Sequence, residues 1–435
     1  MSSAYEATPC EADGIKVVPP RLSDPRLHVA AVIITVQVFG QTSFHFEVSI
    51  AQILVAVLTC ALLDLVIVAR RERVLAWPAS ALLTGNGTAL LLRVNGTHHG
   101  DWWSMRGWWI FAGAGALGIA SKHLLRRAGG PVFNPSNIGL VVCFVLLGTN
   151  CVNPQDLWWG PLSPALVFVT VFVVVGGLLL ARRLHLAGVS AAFWFSFAGA
   201  VAVVALAGHA MTARWHVGTV SGPTYWWILV TSPEVLIFLF FMITDPQTMP
   251  KSPRARVLFG GSIGLMSALF ASAAGTEFAT KLALLVALAV ACAARPLFER
   301  EAVLRLRPVA LTGIVFVVVL AVVANSTAAH PPHLAAAFQG EIFVPSNLPP
   351  VAVDPAVSRA GANVDVLQAQ RLAAQAYAAL SSESASTYTL ASAAVVLVYD
   401  STKPQAPPML GVRLTGNARD GTANSPFDRT IAVSS

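Results

Sequence analysis

The residues able to do chemistry in this sequence are polar groups set inside long apolar runs. Asn134, Ser136 and Asn137 follow Gly129-Gly130-Pro131-Val132-Phe133 and precede the apolar stretch Ile138 to Leu147. Asparagine is a favoured N-cap and Pro135 suits a first helical turn, so a helix is expected to begin at Asn134. Its unpaired N–H groups face a basic stretch holding Lys122, His123, Arg126 and Arg127, an arrangement suited to phosphate or another anion. Thr231-Ser232-Pro233-Glu234 lies in the middle of another apolar run. Thr231 and Glu234 have capping-box spacing with proline in the first turn, which predicts a helix starting at mid-membrane. Glu234 reads either as a cap or as a functional intramembrane carboxylate. The same run ends at Thr244-Asp245-Pro246-Gln247-Thr248, either a helix stop or a second polar loop converging on the same ligand.

Other polar groups in apolar surroundings have plainer readings. Thr84-Gly85-Asn86-Gly87-Thr88 interrupts an apolar stretch; two glycines and an asparagine make sense there if the chain unwinds or another backbone comes close. Glu277 and Lys281 stand four apart and are expected to pair. Asp64 needs a partner that spacing does not name. Histidines lie near span ends, including His28, His45, His185, His209 and His216, without a spacing that picks out a haem-ligating pair. The five cysteines are scattered and form no CxxC, which argues against a metal site or a disulfide framework within this chain. No catalytic residue emerges from spacing alone.

These groups must be positioned by membrane helices. Hydrophobic residues make up 55% of the 435 and charged residues only 11%, less than half the share in an ordinary soluble domain. That balance excludes a disordered chain and argues for an all-α polytopic membrane protein with a more polar appendage. Apolar runs fall at 28–44, 48–69, 74–92, 107–124, 136–152, 161–181, 188–207, 226–244, 257–274, 277–294 and 308–325. Alternating from an inside N-terminus, the cytoplasmic segments carry Lys16, Arg21, Arg26, Arg70, Arg71, Arg73, Lys122, Arg126, Arg127, Arg182, Arg183, Lys251, Arg254, Arg256, Arg295, Arg300, Arg305 and Arg307, against Arg93, Arg106 and Arg214 opposite. The bias sets the N-terminus in the cytoplasm and the C-terminal tail outside, and it accounts for the net charge of +7 without nucleic acid. Trp102, Trp103, Trp108, Trp109, Trp158, Trp159, Trp226 and Trp227 gather at the outer ends, as an aromatic belt or as a stacking platform for a planar ligand.

The division expected is a cytoplasmic polar leader at 1–27, a membrane core at 28–300, an extra transmembrane helix at 301–325 and, over 326–435, a proline-rich linker with a small α+β module. Helical spacing covers 362–380, and strands are expected at 387–399 and 409–415. The leader lacks the basic start and cleavage site of a signal peptide. Interruptions in matching places of the two halves, 84–88 with the Asn-Pro loop and 231–234 with Thr-Asp-Pro, suggest an inverted repeat with a ligand site between the halves.

Ser121-Lys122-His123, then Val132-Phe133-Asn134-Pro135-Ser136-Asn137, and later Phe240-Phe241-Met242-Ile243-Thr244-Asp245-Pro246-Gln247-Thr248, resemble the RnfD/NqrB superfamily, the membrane proteins of the Rnf complex and of the sodium-pumping NADH:quinone reductase. The likeness is closer to the UnbU-like branch that accompanies enediyne biosynthesis, which Thr276-Glu277-Phe278 and Arg295-Pro296-Leu297-Phe298-Glu299 also resemble. The resemblance covers about 28–300. It implies a core of about ten helices in two inverted repeats, similar to urea transporters, in the bacterial inner membrane, with FMN or riboflavin and electron transfer among redox or biosynthetic partner proteins. In the Rnf and quinone reductase proteins FMN is esterified to the last threonine of a Ser/Thr-Gly-Ala-Ser/Thr motif, which is missing here. Ser221-Gly222-Pro223-Thr224 has proline in place of alanine, so the flavin is expected to be non-covalent. On this reading Asn134 and Lys122 hold the phosphate, while Asn137, Thr244, Asp245 and Thr248 bound the ring or ribityl chain. The alternatives are a small-molecule channel or transporter on the same architecture, or a membrane scaffold of a natural-product biosynthetic cluster.

Overall fold

In the computed structural model, the described residues are 10–12, 15–18, 24–127, 130–149, 151–155, 163–213, 219–299, 348–359, 364, 366–383, 387–398, 409–420 and 423–432. The expected span 308–325, the proline-rich stretch before 348, Trp158 and Trp159 lie outside them. The chain divides into two compact units. The first comprises Met1–Val204, Trp226–Ala273 and Phe278–Ser326, and the second Ala205–Tyr225, Ala274–Glu277 and Thr327–Ser435.

The first unit is helical. Its elements are α1 (Pro25–Ser43), α2 (Ile50–Glu72), α3 (Ala79–Leu91), α4 (Trp108–Leu124), α5 (Pro135–Leu147), α6 (Pro164–Arg183) and α7 (Ala187–Leu206). They continue with α8 (Gly222–Thr231), α9 (Pro233–Ile237), a π-helix (Phe238–Ile243), α10 (Pro253–Ser272), α11 (Glu277–Ala293) and α12 (Arg295–Phe298). Each expected run from 28–44 to 277–294 overlaps one of these helices, except 226–244, which is divided among α8, α9 and the π-helix. Among the described residues five segments are long and apolar enough to cross a membrane: α2, α6, α7, α10 and the composite Gly222–Ile243. The protein is therefore a multi-pass helical membrane protein. Runs 74–92 and 136–152 become helices of only 13 residues, α3 and α5. At the α-helical rise each is about 20 Å long, short of the hydrocarbon thickness.

Several starts follow from local chemistry. Ser49 and Gln52 make a full capping box at α2, and Gln52 also reaches the Thr97 hydroxyl (2.9 Å) and the Arg106 carbonyl (2.6 Å), tying this helix to the 97–106 loop. Ser163 and Ser252 cap α6 and α10, each with proline in the first turn. Trp102, Trp103, Trp108, Trp109 and Trp227 are exposed, as expected of a belt, whereas the indole of Trp226 donates to the Ala198 carbonyl at 2.9 Å.

Residues 84–88 do not unwind. They sit in the interior of α3, where the hydroxyls of Thr84 and Thr88 fold back onto the carbonyls of Ser80 and Thr84. The glycine is needed for close approach instead: a Cβ on Gly85 would lie 2.6 Å from the Ala56 carbonyl oxygen of α2. Asn86 is buried in the same helix. Gly139 of α5 meets the Ala114 carbonyl of α4 in the same manner. Small residues thus set the α2–α3 and α4–α5 contacts, as membrane helices require when no water drives them together.

The 1–27 leader is more structured than its polarity suggests. β1 (Cys10–Ala12) and β2 (Ile15–Val18) form an antiparallel pair, and β2 runs parallel to β3 (Val74–Ala76) after α2. Two further ladders close loops of this unit: β4 (Leu92–Val94) with β7 (Val152–Pro154), and the two-residue strands β5 (Arg126–Arg127) with β6 (Gly130–Pro131).

In the second unit, β8 (Ala210–Thr212) pairs with β9 (Thr219–Ser221). Its C-terminal part is an α+β module with a sheet ordered β10 (Val351–Val353), β11 (Thr387–Val398), β12 (Met409–Asp420), β13 (Ala423–Ala432). β10 joins parallel to β11 and the remaining pairs are antiparallel. Following the short α13 (Pro355–Arg359), α14 (Val366–Glu383) covers the sheet through Ala373, Tyr377 and Leu380 on Val395, Val412 and Leu414. The strand expected at 409–415 is longer, and β10 and β13 had no clear sequence signal.

Gly85→Leu is expected to push α2 and α3 apart and destabilise the protein by about 1–3 kcal/mol, the usual cost of overpacking. A lower thermal unfolding midpoint of the purified protein in detergent checks this; an unchanged midpoint would mean that the contact is slack.

Candidate functional site

Where α1, α3 and α6 meet the start of α5 and the π-helix, the first unit encloses a cavity of about 320 Å³. Its walls are apolar, with Val29, Ile33, Leu90, Leu180, Ile237 and Phe240 among them. Its polar edge is made by Asn134, Ser136, Thr244, Asp245 and Gln247, joined by Asp24, Arg26, Ser80 and Thr84.

Asn134 organises this edge. It caps α5 as its residue type predicts: the side-chain oxygen accepts from the Asn137 amide at 3.2 Å and from the Ser136 hydroxyl at 2.9 Å. The amide nitrogen donates to the Met242 carbonyl in the π-helix, 3.4 Å away. A π-helix leaves its neighbours out of α-helical register and often marks a functional site. Here it carries the chain from Phe238 to Thr244, whose hydroxyl donates back to the Phe240 carbonyl. The adjoining turn is held by Asp245, which accepts from the Gln247 amide at 3.0 Å and lies within reach of the Thr248 hydroxyl at 3.5 Å. Burial pushes the Asp245 carboxyl above the usual range, and these bonds and the charge of Lys122 only partly offset it.

Across the cavity, Asp24 caps α1 and grips Arg26 at both carboxylate oxygens, with Nε contacts of 3.0 and 2.9 Å. Burial raises the Asp24 carboxyl, yet the hydrogen bonds and charge of Arg26 prevail and hold it below the usual range. This pair was not among the expected site residues. The signal was legible, since Asp before Pro marks a helix start as strongly as Asn134-Pro135 does.

The expected residues thus fall into separate places. Asn134, Ser136, Thr244 and Asp245 come together at the cavity. Asn137 and Thr248 are buried behind its edge, and the Asn137 amide donates to the Leu285 carbonyl of α11 at 2.9 Å. Lys122 and His123 are not in the lining: both bind Asp64 Oδ1, at 2.9 and 2.7 Å, which supplies the partner that spacing did not name for Asp64. The helix start at mid-run is real but shifted by one residue. Ser232, not Thr231, is the N-cap and accepts from the Val235 amide, while the Thr231 hydroxyl returns to the Trp227 carbonyl. Glu234 turns from the cavity to Lys281 of α11, 3.1 Å away, a cross-helix partner beyond the reach of the i,i+4 reading. Among the described residues no cluster of three or more His, Cys, Asp or Glu side chains has metal-binding geometry.

No family model matches the chain. It is similar to the D-type component of the ion-translocating oxidoreductase complex of Shewanella denitrificans, with 24% identity over 310 aligned positions that cover 57% of this chain and 84% of that protein.

The raised Asp245 has a thermodynamic signature. A carboxyl whose folded-state value is raised binds its proton more tightly in the folded protein, so stability falls as pH climbs from the ordinary carboxylate range through the raised value. Asp245→Asn is expected to flatten that part of the stability–pH curve. Parallel wild-type and variant curves would refute the assignment.

Proposed function

We propose that this protein is an inner-membrane component of an electron-transfer complex and that its cavity holds a flavin without a covalent bond. The observation that carries the reading is the convergence of the Asn134-Pro135-Ser136 and Thr244-Asp245 loops on one apolar-walled cavity. These are the segments that resemble the Rnf and sodium-pumping quinone reductase proteins, and the relative from Shewanella supports the same class. A cavity near 300 Å³ is at the small end for a ligand site, and apolar walls with a few convergent polar groups are its usual chemistry.

The polar edge bears on which flavin fits. Among the described residues Arg26 is the one cationic side chain in the lining, and Asp24 already holds it. Asp24 and Asp245 add two carboxylates. Lys122, expected at the phosphate, is engaged by Asp64. The residues therefore fit uncharged riboflavin better than FMN. A bound flavin would supply the redox chemistry, and the chain would supply orientation, electrostatics and exclusion of water. On this reading Asn134, Ser136 and Thr244 would hydrogen-bond a ring or ribityl chain. Ile33, Leu90 and Phe240, which line the cavity, would keep the ring dry. The supporting architecture on this reading is about ten helices in two inverted halves, of the UnbU-like kind.

Transport of a small solute is the second reading. Its carboxylate of choice, Glu234, is engaged by Lys281 rather than presented to the cavity.

The protein purified in mild detergent is expected to show flavin absorbance that denaturation releases into solution. Asn134→Ala removes a hydrogen-bonding group from the cavity edge, and a lost ligand bond of about 1 kcal/mol should weaken flavin affinity roughly fivefold. Absence of flavin both on purification and after reconstitution with riboflavin or FMN would overturn the reading.

Orientation is testable with native residues. Cys151 is exposed between α5 and α6, whereas Cys60, Cys143 and Cys292 are buried. With the N-terminus in the cytoplasm, a membrane-impermeant maleimide should label Cys151 in spheroplasts. Labelling of Cys151 only in inverted vesicles would reverse the topology.

A further inference from the structure

The Glu234–Lys281 pair lies outside the cavity, and the flavin reading makes no use of it. Glu234 stands in the first turn of α9, directly after the break at Ser232 and Pro233. Its run, Gly222–Ile243, is among those apolar enough to cross the membrane. Lys281 comes from the neighbouring α11. The ammonium contacts Glu234 Oε2 at 3.1 Å and the Gln155 carbonyl oxygen at 3.2 Å. Both side chains are largely buried, at 12% and 15% exposure.

Gln155 carries the second observation. Its backbone N–H donates to the Leu91 carbonyl at 2.8 Å, which fixes the peptide at the end of the β4–β7 ladder. The residue is 3% exposed, and its side-chain oxygen is buried without a hydrogen-bond partner among the described residues. The Glu234 carboxylate and the Gln155 backbone carbonyl, which both touch the ammonium, are the hard oxygen donors that a small monovalent cation takes. The ammonium is the cation that fills this place, and it is tethered to the protein.

We propose that Lys281 is a built-in substitute for a mobile monovalent cation in a site formed by Glu234 and Gln155. A buried carboxylate in lipid needs a compensating positive charge. A bound ion meets that need only while it is present, and its binding makes stability depend on ion concentration. A lysine meets it permanently and removes the dependence. The substitution also links three separate stretches, since the ammonium spans α11, the α9 start and the β7 end.

The test uses the full-length protein in detergent and compares thermal unfolding in sodium, potassium, methylammonium and choline chloride at equal ionic strength. Wild-type protein is expected to unfold at the same temperature in all four. Lys281→Ala should unfold several degrees lower in choline and recover, saturably, with one or more of the small cations. Glu234→Gln combined with Lys281→Ala should lose that recovery, because the charge that calls for a cation is gone. Should Lys281→Ala not fold, Lys281→Met expressed and purified in methylammonium serves the same comparison. Saturable, cation-specific stabilisation of the wild type, or a folded Lys281 variant indifferent to all four salts, overturns the proposal. Flavin content enters neither outcome, so this result and the flavin reading stand or fall separately.

Discussion

A single amide, that of Asn134, joins the two polar loops on which the cavity depends. Its oxygen closes the first turn of α5, and its nitrogen holds a carbonyl of the π-helix. Backbone that leaves the helical ladder in an apolar interior must find partners within the protein. Asn134 meets that requirement for two irregular segments at once. Without it, the Asn137 amide would lose an acceptor and the Met242 carbonyl a donor, at a cost of about 1–3 kcal/mol for each group left buried and unpaired. The polar edge of the cavity is in this sense a by-product of backbone satisfaction.

The same constraint accounts for the distribution of charge. Acidic groups of the helical core are paired across elements: Asp64 with Lys122 and His123, Glu234 with Lys281, and Glu47 with Arg93. None of these pairs lines the cavity. Asp245 is the contrast, held chiefly by neutral donors and with a raised protonation range. The core thus neutralises these charges against each other and leaves Asp245 as a protonatable carboxyl facing the ligand space.

Much of this was legible in the sequence, for identifiable reasons. Helix positions followed from apolar length, and the α5 start from Asn134-Pro135, because those signals are local. The two converging loops were recognisable from their polar strings, although only the fold brings them together. At 84–88 the glycines left two readings open, an unwound backbone or the close approach of another one, and the structure shows the second. Glycine permits an irregular backbone and it permits close packing, and only the position of Ala56 decides between them. Pairings across helices were also invisible: Lys281 stands 47 positions from Glu234 (281 − 234 = 47), beyond any periodic rule. The Thr231 assignment missed by one residue because Thr and Ser are adjacent and both are good caps. The leader strands escaped notice because β2 pairs with residues that follow the whole of α2.

The π-helix sets a phase. An α-helix turns by about 100° per residue, and a π segment accommodates extra residues in the same length of axis. The direction in which Thr244 and Asp245 emerge therefore depends on the residue count between Ser232 and Ile243, and not only on side-chain identity. Drift at single positions along Phe238–Ile243 can leave the polar edge in place, whereas gain or loss of one residue there would swing it away from Asn134. Among descendants of this sequence, length in that short stretch is the variable to which the cavity is least tolerant.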